Sequence, residues 1–288
     1  MTSPRALVLE FTKMNGAGND FIVIDNRFYY FNAEELSNLA RRFCPRRTGV
    51  GADGLLAFST PEGPEAHFRM RYYNADGSLG TMCGNGARCL VRFARLAGMM
   101  DETLVFESDA GVYRAVAGPA ASDPVRLFVR PPERFSRAIR LASESARSAG
   151  ACHFIWTGTE HAVCFVDEVT HAPVERWGPA VRKDPALQPA GANVNFVQVD
   201  DRGGAGHPAR ITVRTHEKGV EAETLACGTG AMASAVVARL ETRIDTDEVE
   251  VTMPGGVLRV GFQLEASEVR DLYLEGPADV VYRGTLEV

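Results

Sequence analysis

Cys83-Gly-Asn-Gly-Ala-Arg88 and Cys227-Gly-Thr-Gly-Ala-Met232 are built alike and lie half of the 288-residue chain apart. In each, a cysteine stands directly before a Gly-x-Gly-Ala, and a run of helical character follows. After Cys83, the positions Ala87, Leu90, Val91, Ala94 and Ala97 recur at helical spacing, and Gly98 can end that helix. After Cys227, the run Ala231–Ala238 is small or apolar on every side, which predicts a helix enclosed all round. A cysteine at the mouth of a helix meets the partial positive charge of its N-terminus and several unpaired backbone N–H groups, which favour the thiolate. One such cysteine suggests a nucleophile or a base. Two in the same setting suggest a pair that does one job from two sides.

Around these segments strands dominate. In the first half Phe21–Asp25, His67–Tyr73, Leu104–Glu107, Val112–Ala117 and Val125–Arg130 read as strands; Phe68, Met70 and Tyr72 alternate with Arg69, Arg71 and Tyr73. Asn32 followed by Glu35 predicts a capped helix start, and Asp76-Gly77 a turn. In the second half Phe154–Thr157, Val163–Val166, Val194–Val199 and Ile211–Arg214 read as strands and Pro173–Arg182 as a short helix. Strands Glu248–Met253, Val257–Phe262, Asp271–Glu275 and Val280–Leu286 close the chain, while Ser143–Gly150 reads as a solvated loop. Two prolines at Arg130-Pro-Pro-Glu133 place the boundary between residues 1–130 and 131–276, with 277–288 able to return to the first half. The fold class is α/β (α+β): two similar, pseudo-symmetric halves, each a strand-rich, mostly antiparallel or mixed sheet wrapped round a central helix.

Composition narrows the function. The net charge of −6 and the absence of a lysine-arginine cluster argue against a nucleic-acid partner. No apolar stretch approaches the ~20 residues that span a bilayer. The N-terminus Met1-Thr-Ser-Pro-Arg-Ala-Leu lacks the apolar core of a signal peptide, so a cytoplasmic protein is expected. Its six cysteines are then expected as thiols rather than a disulfide framework. Cys44, Cys89, Cys152 and Cys164 read as small buried hydrophobes. No Cys-x-x-Cys pair occurs, and the Cys83…Cys89 spacing lacks partners for zinc, so no metal is expected.

Removing a proton from a carbon beside a carboxylate and returning one on the opposite face needs a base and an acid on opposite sides of that carbon. Two thiols suit this, one ionised and one not, with roles exchanged by direction. The Gly-x-Gly turns let backbone N–H groups approach an anionic group at the helix mouths.

Five segments carry a resemblance: Lys13-Met-Asn-Gly-Ala-Gly-Asn-Asp-Phe21, Gly49-Val-Gly-Ala-Asp-Gly-Leu55, Tyr73-Asn-Ala-Asp-Gly-Ser78, Cys83-Gly-Asn-Gly-Ala-Arg88 and Glu223-Thr-Leu-Ala-Cys-Gly-Thr-Gly-Ala231. Together they resemble the signature segments of the diaminopimelate epimerase family, from about residue 11 to the C-terminus. The resemblance implies a PLP-independent isomerase without cofactor. Such an enzyme interconverts LL- and meso-2,6-diaminopimelate on the route to lysine and peptidoglycan, its active site in the cleft between two similar domains. It implies Cys83 and Cys227 as the acid/base pair, with His161 and Glu217 tuning them. It places Asn19, Asn74, Asn193, Thr159, Glu217 and Lys218 on the substrate's polar groups. The backbone at Gly84-Asn85 and Gly228-Thr229 would cradle the carboxylate. It also implies a homodimer, with Tyr282 where a tyrosine contributes to the interface.

Three positions depart from the family pattern. Thr159-Glu160-His161 stands where Asn-Pro-His is common, Lys218 where arginine is usual, and Gly54 where some members carry glutamine. Two alternatives stay open: a proline racemase-like enzyme of the same fold, and a non-catalytic thiol-based ligand or redox module. A related phenazine-type isomerase uses a carboxylate, and the intact cysteine pair speaks against it.

Overall fold

The computed structural model describes residues 7–288; most of the N-terminal stretch inspected for a leader lies outside the described residues. The chain divides into two compact units. The first runs to Leu127 and takes back Gly276–Val288; the second is Phe128–Glu275.

The first unit contains β1 (Val8–Gly16), β2 (Asn19–Asp25), a single helical turn α1 (Asn26–Tyr29), α2 (Ala33–Phe43), β3 (Gly54–Ser59), β4 (Phe68–Asn74), β5 (Leu79–Gly80), α3 (Gly84–Leu96), β6 (Thr103–Ser108) and β7 (Gly111–Ala117). β8 (Val125–Phe128) leads across the division. The second contains β9 (Glu133–Ile139), α4 (Glu144–Arg147), β10 (Cys152–Trp156), β11 (Glu160–Phe165), α5 (Val174–Arg182), β12 (Asn193–Asp201), β13 (Ala209–Glu217), β14 (Ala222–Thr224), α6 (Gly228–Leu240), β15 (Glu248–Met253), β16 (Gly256–Glu265) and β17 (Glu268–Gly276). β18 (Asp279–Glu287) returns to pair with β1.

One pairing scheme is used twice. In the first unit β1 is antiparallel to β18 and β2, β2 is parallel to β3, β3 is antiparallel to β4, and β4 is parallel to β6. In the second, β10 is antiparallel to β9 and β11, β11 is parallel to β12, β12 is antiparallel to β13, and β13 is parallel to β15. Each parallel step needs a crossover: α2 and α3 supply it in the first unit, α5 and α6 in the second.

The crossovers cover both faces of each sheet, which is why β2 and β3 are buried along almost their whole length. Ile22, Ile24, Leu55 and Ala57 pack with Leu36, Leu39, Ala40 and Phe43 of α2. On the other face α3 lies against β1 to β4 and β7. α6 lies against β10 to β13, β15 and β16, and every residue from Gly230 to Ala238 is buried. Its composition, apolar all round, fits that enclosure.

Asn32 and Glu35 form the reciprocal cap that the sequence predicts for α2: the Asn32 side chain accepts from the Glu34 and Glu35 N–H groups, and the Glu35 carboxylate accepts from the Asn32 N–H.

Three expectations are corrected. Cys152 and Cys164 are joined in a disulfide rather than being separate thiols, because the β10–β11 register sets them directly opposite with Cα atoms 4.2 Å apart. Cys44, Cys83, Cys89 and Cys227 are not disulfide-bonded. Ser143–Gly150 is exposed at most of its positions, as a solvated segment should be, but it is not a plain loop. Ser143 caps the turn α4, Ala146 and Ala149 are buried, and the Asp184 carboxylate accepts from the Ala142 and Ser143 N–H groups. Strand β8 ends at Phe128, two residues short of its reading.

Removing the α2 cap by Asn32→Ala leaves two N–H groups of the first turn without acceptor. A loss of about 1 kcal/mol in urea unfolding of the first unit is expected, with turnover unchanged.

Candidate active site

Cys83 and Cys227 occupy the same backbone position in their units. Each is the N-cap of its helix, in extended conformation (φ −135°, ψ 116° and φ −128°, ψ 101°). The first helical bonds run from Ala87 N to Cys83 O at 2.8 Å and from Ala231 N to Cys227 O at 2.9 Å. N–H groups of the preceding turn therefore stay available at the helix mouth. The Cys83 Sγ accepts from Gly86 N at 3.5 Å, and the Cys227 Sγ lies 3.5 Å from the Thr229 hydroxyl. Thr157 donates to the Thr229 carbonyl at 3.0 Å and ties that turn to β10's end.

Glycine at the third position of each motif goes with close approach, severe at Gly230 and mild at Gly86. A Cβ on Gly86 would stand 3.1 Å from Leu56 Cδ2. One on Gly230 would stand 2.3 Å from Asn195 Oδ1. The helix mouths press on the sheet because these side chains are missing.

In the first unit the strand registers align Phe21, Gly54 and Asn74 in one row, at the sheet end where α3 begins. A polar chain runs along it. Asn85 Nδ2 donates to Asn19 Oδ1 at 2.6 Å, and Asn19 Nδ2 donates to Asp53 Oδ2 at 2.9 Å. Arg46 bonds both Asp53 and Asp20, and Lys13 pairs with Asp20 at 2.8 Å. Burial works to raise the Asp20 carboxyl, but the bonds from Arg46 and Lys13 prevail and hold it at about 2. Asn74 accepts from the Tyr72 hydroxyl at 2.7 Å and donates to Ser78 at 2.9 Å. The Tyr72 ring explains Gly54, since a Cβ there would meet its Cε2 at 2.6 Å.

The second unit repeats the row with other chemistry: His161 pairs with Asn193 by register, and Glu217 follows the Val194–His216 pair, where α6 begins. Asn193 accepts from Lys218 N at 2.8 Å and donates to the Glu160 carbonyl at 3.1 Å. Lys218 Nζ meets the Glu160 carboxylate at 2.7 Å, with Thr159 Oγ1 at 3.3 Å and Arg134 at 3.6 Å from the same group. Glu217 is raised above the ordinary carboxyl range by burial, against a bond from the Thr224 hydroxyl at 2.8 Å.

His161 is fully buried. Asn195, fixed by the Thr215 hydroxyl and the Ala162 carbonyl, donates to its Nδ1 at 3.1 Å. That bond selects the tautomer with the proton on Nε2, and Nε2 has no hydrogen-bond partner among the described residues. Burial pushes this imidazole down to about 3, helped by the charge of Lys218 and opposed by that of Glu160. Cys44 and Cys89 are raised to about 12, mainly by burial, so they are inert thiols.

The family model described as diaminopimelate epimerase matches residues 11–117 and 153–281. The chain belongs to the diaminopimelate epimerase family. A relative of that name from Chlorobaculum tepidum is 42% identical over 274 residues, covering 95% of this chain and 99% of its own. Another of that name, from Aquifex aeolicus, is 38% identical over 285 residues, covering 96% and 98%. Among solved structures, a phenazine biosynthesis protein of the PhzF family from Bacillus anthracis superposes with a TM-score of 0.74 at 15% identity, over 98% of this chain and 100% of that one. A probable proline racemase from Agrobacterium radiobacter reaches 0.67 at 16% identity, over 97% and 93%. These two show the fold alone: mixed α+β, with large sheets and few helices.

Sequence reasoning reached both helix mouths and both rows, but not the residues behind them. Asn195 was legible in principle, since Asn193-Val-Asn195 puts two amides on one face of a strand. The pairing of Glu160 with Lys218 joins two departures that the sequence presents 58 positions apart.

The unfolded imidazole takes up a proton near 6.5, whereas folded His161 resists one to about 3. Its contribution to stability is therefore full above pH 6.5 and lost as pH falls from there toward 3. His153 and His216, also lowered by burial, act in the same sense. His161→Gln should flatten the fall in unfolding free energy between pH 6.5 and 4; an unchanged slope would show that His161 is protonated in the native protein.

Proposed function

We propose that this chain interconverts LL- and meso-2,6-diaminopimelate, with neither PLP nor metal, by a two-cysteine mechanism. The thiolate of one cysteine takes the α-proton, and the electron pair left on carbon spreads into the adjacent carboxylate. The thiol of the other delivers a proton to the opposite face, inverting the centre and becoming the thiolate. The observation that supports this is the paired placement of Cys83 and Cys227 as N-caps above Gly-x-Gly turns, in a chain of this family. Backbone N–H groups at Gly84-Asn85 and Gly228-Thr229 receive the substrate carboxylate, whose charge grows as the proton leaves. Asn19, Asn74, Asn193 and Thr159 hold its other polar groups. Glu217 accepts from a substrate ammonium, and neutral His161 presents its Nε2–H without adding charge. The protein acts in the cytoplasm as a homodimer, with the half-exposed Tyr282 of β18 in the contact.

Lys218 offers one ammonium where the family pattern has a two-pronged guanidinium, and Glu160 already holds it. A substrate carboxylate must compete with Glu160 for that charge. The two residues therefore have opposite effects. Glu160→Gln lowers KM several-fold, while Lys218→Met costs roughly ten- to a hundredfold in kcat/KM, the value of one charge-assisted hydrogen bond. Equal loss in both variants would show that the pair serves only the fold.

The principal test is turnover of LL-diaminopimelate by Cys83→Ala and Cys227→Ala. Each removes one small atom at a helix mouth, so thermal unfolding stays near wild type while epimerisation disappears. Either variant working within tenfold of wild type would overturn the two-base reading. Turnover of proline instead of diaminopimelate by the wild type would overturn the substrate.

A further inference from the structure

Arg88, five residues beyond Cys83 in α3, is fully buried. Its Nη2 donates to Asn85 Oδ1 at 2.9 Å and, at longer range, to the Gly16 carbonyl at 3.5 Å. Its Nε reaches the Pro277 carbonyl at 3.4 Å, and Nη1 has no hydrogen-bond partner among the described residues. None of these is an anion. Buried Lys13, by contrast, is paired with Asp20. A guanidinium withdrawn from water without a counter-charge is costly, and it persists only where it does something for its surroundings.

Its hydrogen bonds settle the direction of the polar chain along the sheet end. A guanidinium can only donate, so Asn85 must turn its Oδ1 toward Arg88 and its Nδ2 toward Asn19. Asn19 then presents Oδ1 to Asn85 and Nδ2 to Asp53, a carboxylate that can only accept. The two amides are thus held between a group that cannot accept and one that cannot donate. Neither can flip without breaking bonds at both ends.

Its charge also has a definite neighbourhood. The groups whose negative charge bears on Arg88 are the thiols Cys89 and Cys83. Cys89, raised to about 12 mainly by burial, stays protonated. The remaining charges around this part of the unit are Arg92, one turn further along α3 and also buried, Asp279 on β18, whose field acts on Cys89 and Arg92, and the Asp53–Asp20 group beyond Asn19, which Arg46 and Lys13 neutralise.

We propose that Arg88 is a positioning residue of the Cys83 half-site: its donors lock the Asn85–Asn19 amide pair in one orientation, and its buried charge, met by no carboxylate among the described residues, favours the thiolate of Cys83. This rests on reading Cys83 as an acid/base catalyst.

The test is the pH dependence of Cys83 alkylation by iodoacetamide, resolved from the other cysteines by peptide mapping, in wild type, Arg88→Met and Arg88→Lys. In Arg88→Met the midpoint moves up by about one pH unit, the effect of losing a nearby opposite charge. kcat/KM at neutral pH falls by up to about tenfold, in step with the loss of thiolate, and recovers as pH rises. Arg88→Lys keeps the charge and returns the midpoint toward wild type. If Arg88→Met does not fold, Arg88→Gln, neutral and still a donor to Asn85, takes its place. A folded neutral variant with the wild-type midpoint overturns the inference. So does a wild-type Cys83 that alkylates with the pH dependence of a small free thiol, which needs no variant. Cys83→Ala measured alongside separates the two failures: activity in that variant defeats the acid/base role of Cys83, whereas its inactivity beside an unshifted Arg88→Met defeats the role of Arg88.

Discussion

Everything in this structure that concerns chemistry depends on a cysteine serving as the N-cap of a helix that presses on its sheet. An N-cap has extended backbone while the next residues are helical, so its side chain stands beside the unbonded N–H groups of the first turn. The usual caps are hydroxyls, amides and carboxylates; a thiol there keeps its reactivity and gains the field of the helix. Gly86 and Gly230 let each helix mouth approach the sheet until Leu56 and Asn195 are in contact distance, so the cysteine stands close above a row of strand ends. The side chains in that row are what the two units vary.

The rows differ in electrostatic character. The first carries amides anchored by ions: Arg88 at one end, and Asp53 with Arg46 at the other. The second carries a neutral histidine oriented by an amide, a carboxyl raised by burial, and a lysine engaged by Glu160. One pairing scheme thus supports two polarities around the same cap.

Much of the architecture was legible because its signals are local. The alternation in Phe68–Tyr73, the cap at Asn32 and the apolar faces after Cys83 and Cys227 depend on spacing alone. What stayed hidden depends on register or on distant partners. Cys152 and Cys164 meet only because β10 and β11 pair in this register, and a slip of one residue would turn them to opposite faces. The turn at Glu144–Arg147 has polar residues in three of four places, and the Ser143 that caps it is held by the Asp184 carboxylate 41 positions on. β9 has mostly exposed positions and shows no alternation to read. The helix mouths were legible as cysteine-capped turns, but Arg88, Asp53 and Asn195 act through bonds that no sequence interval announces.

The central claim is that two different groups serve the two faces of one carbon. It is tested most directly by following LL-diaminopimelate in D₂O through the first few per cent of turnover, by NMR and mass spectrometry. With separate bases, the inverted centre of meso product carries deuterium from solvent-exchanged thiol, while the remaining LL substrate stays protonated. Deuterium entering the LL pool as fast as the product, or product that retains the substrate's own proton, would mean that a single base serves both faces and would contradict the account.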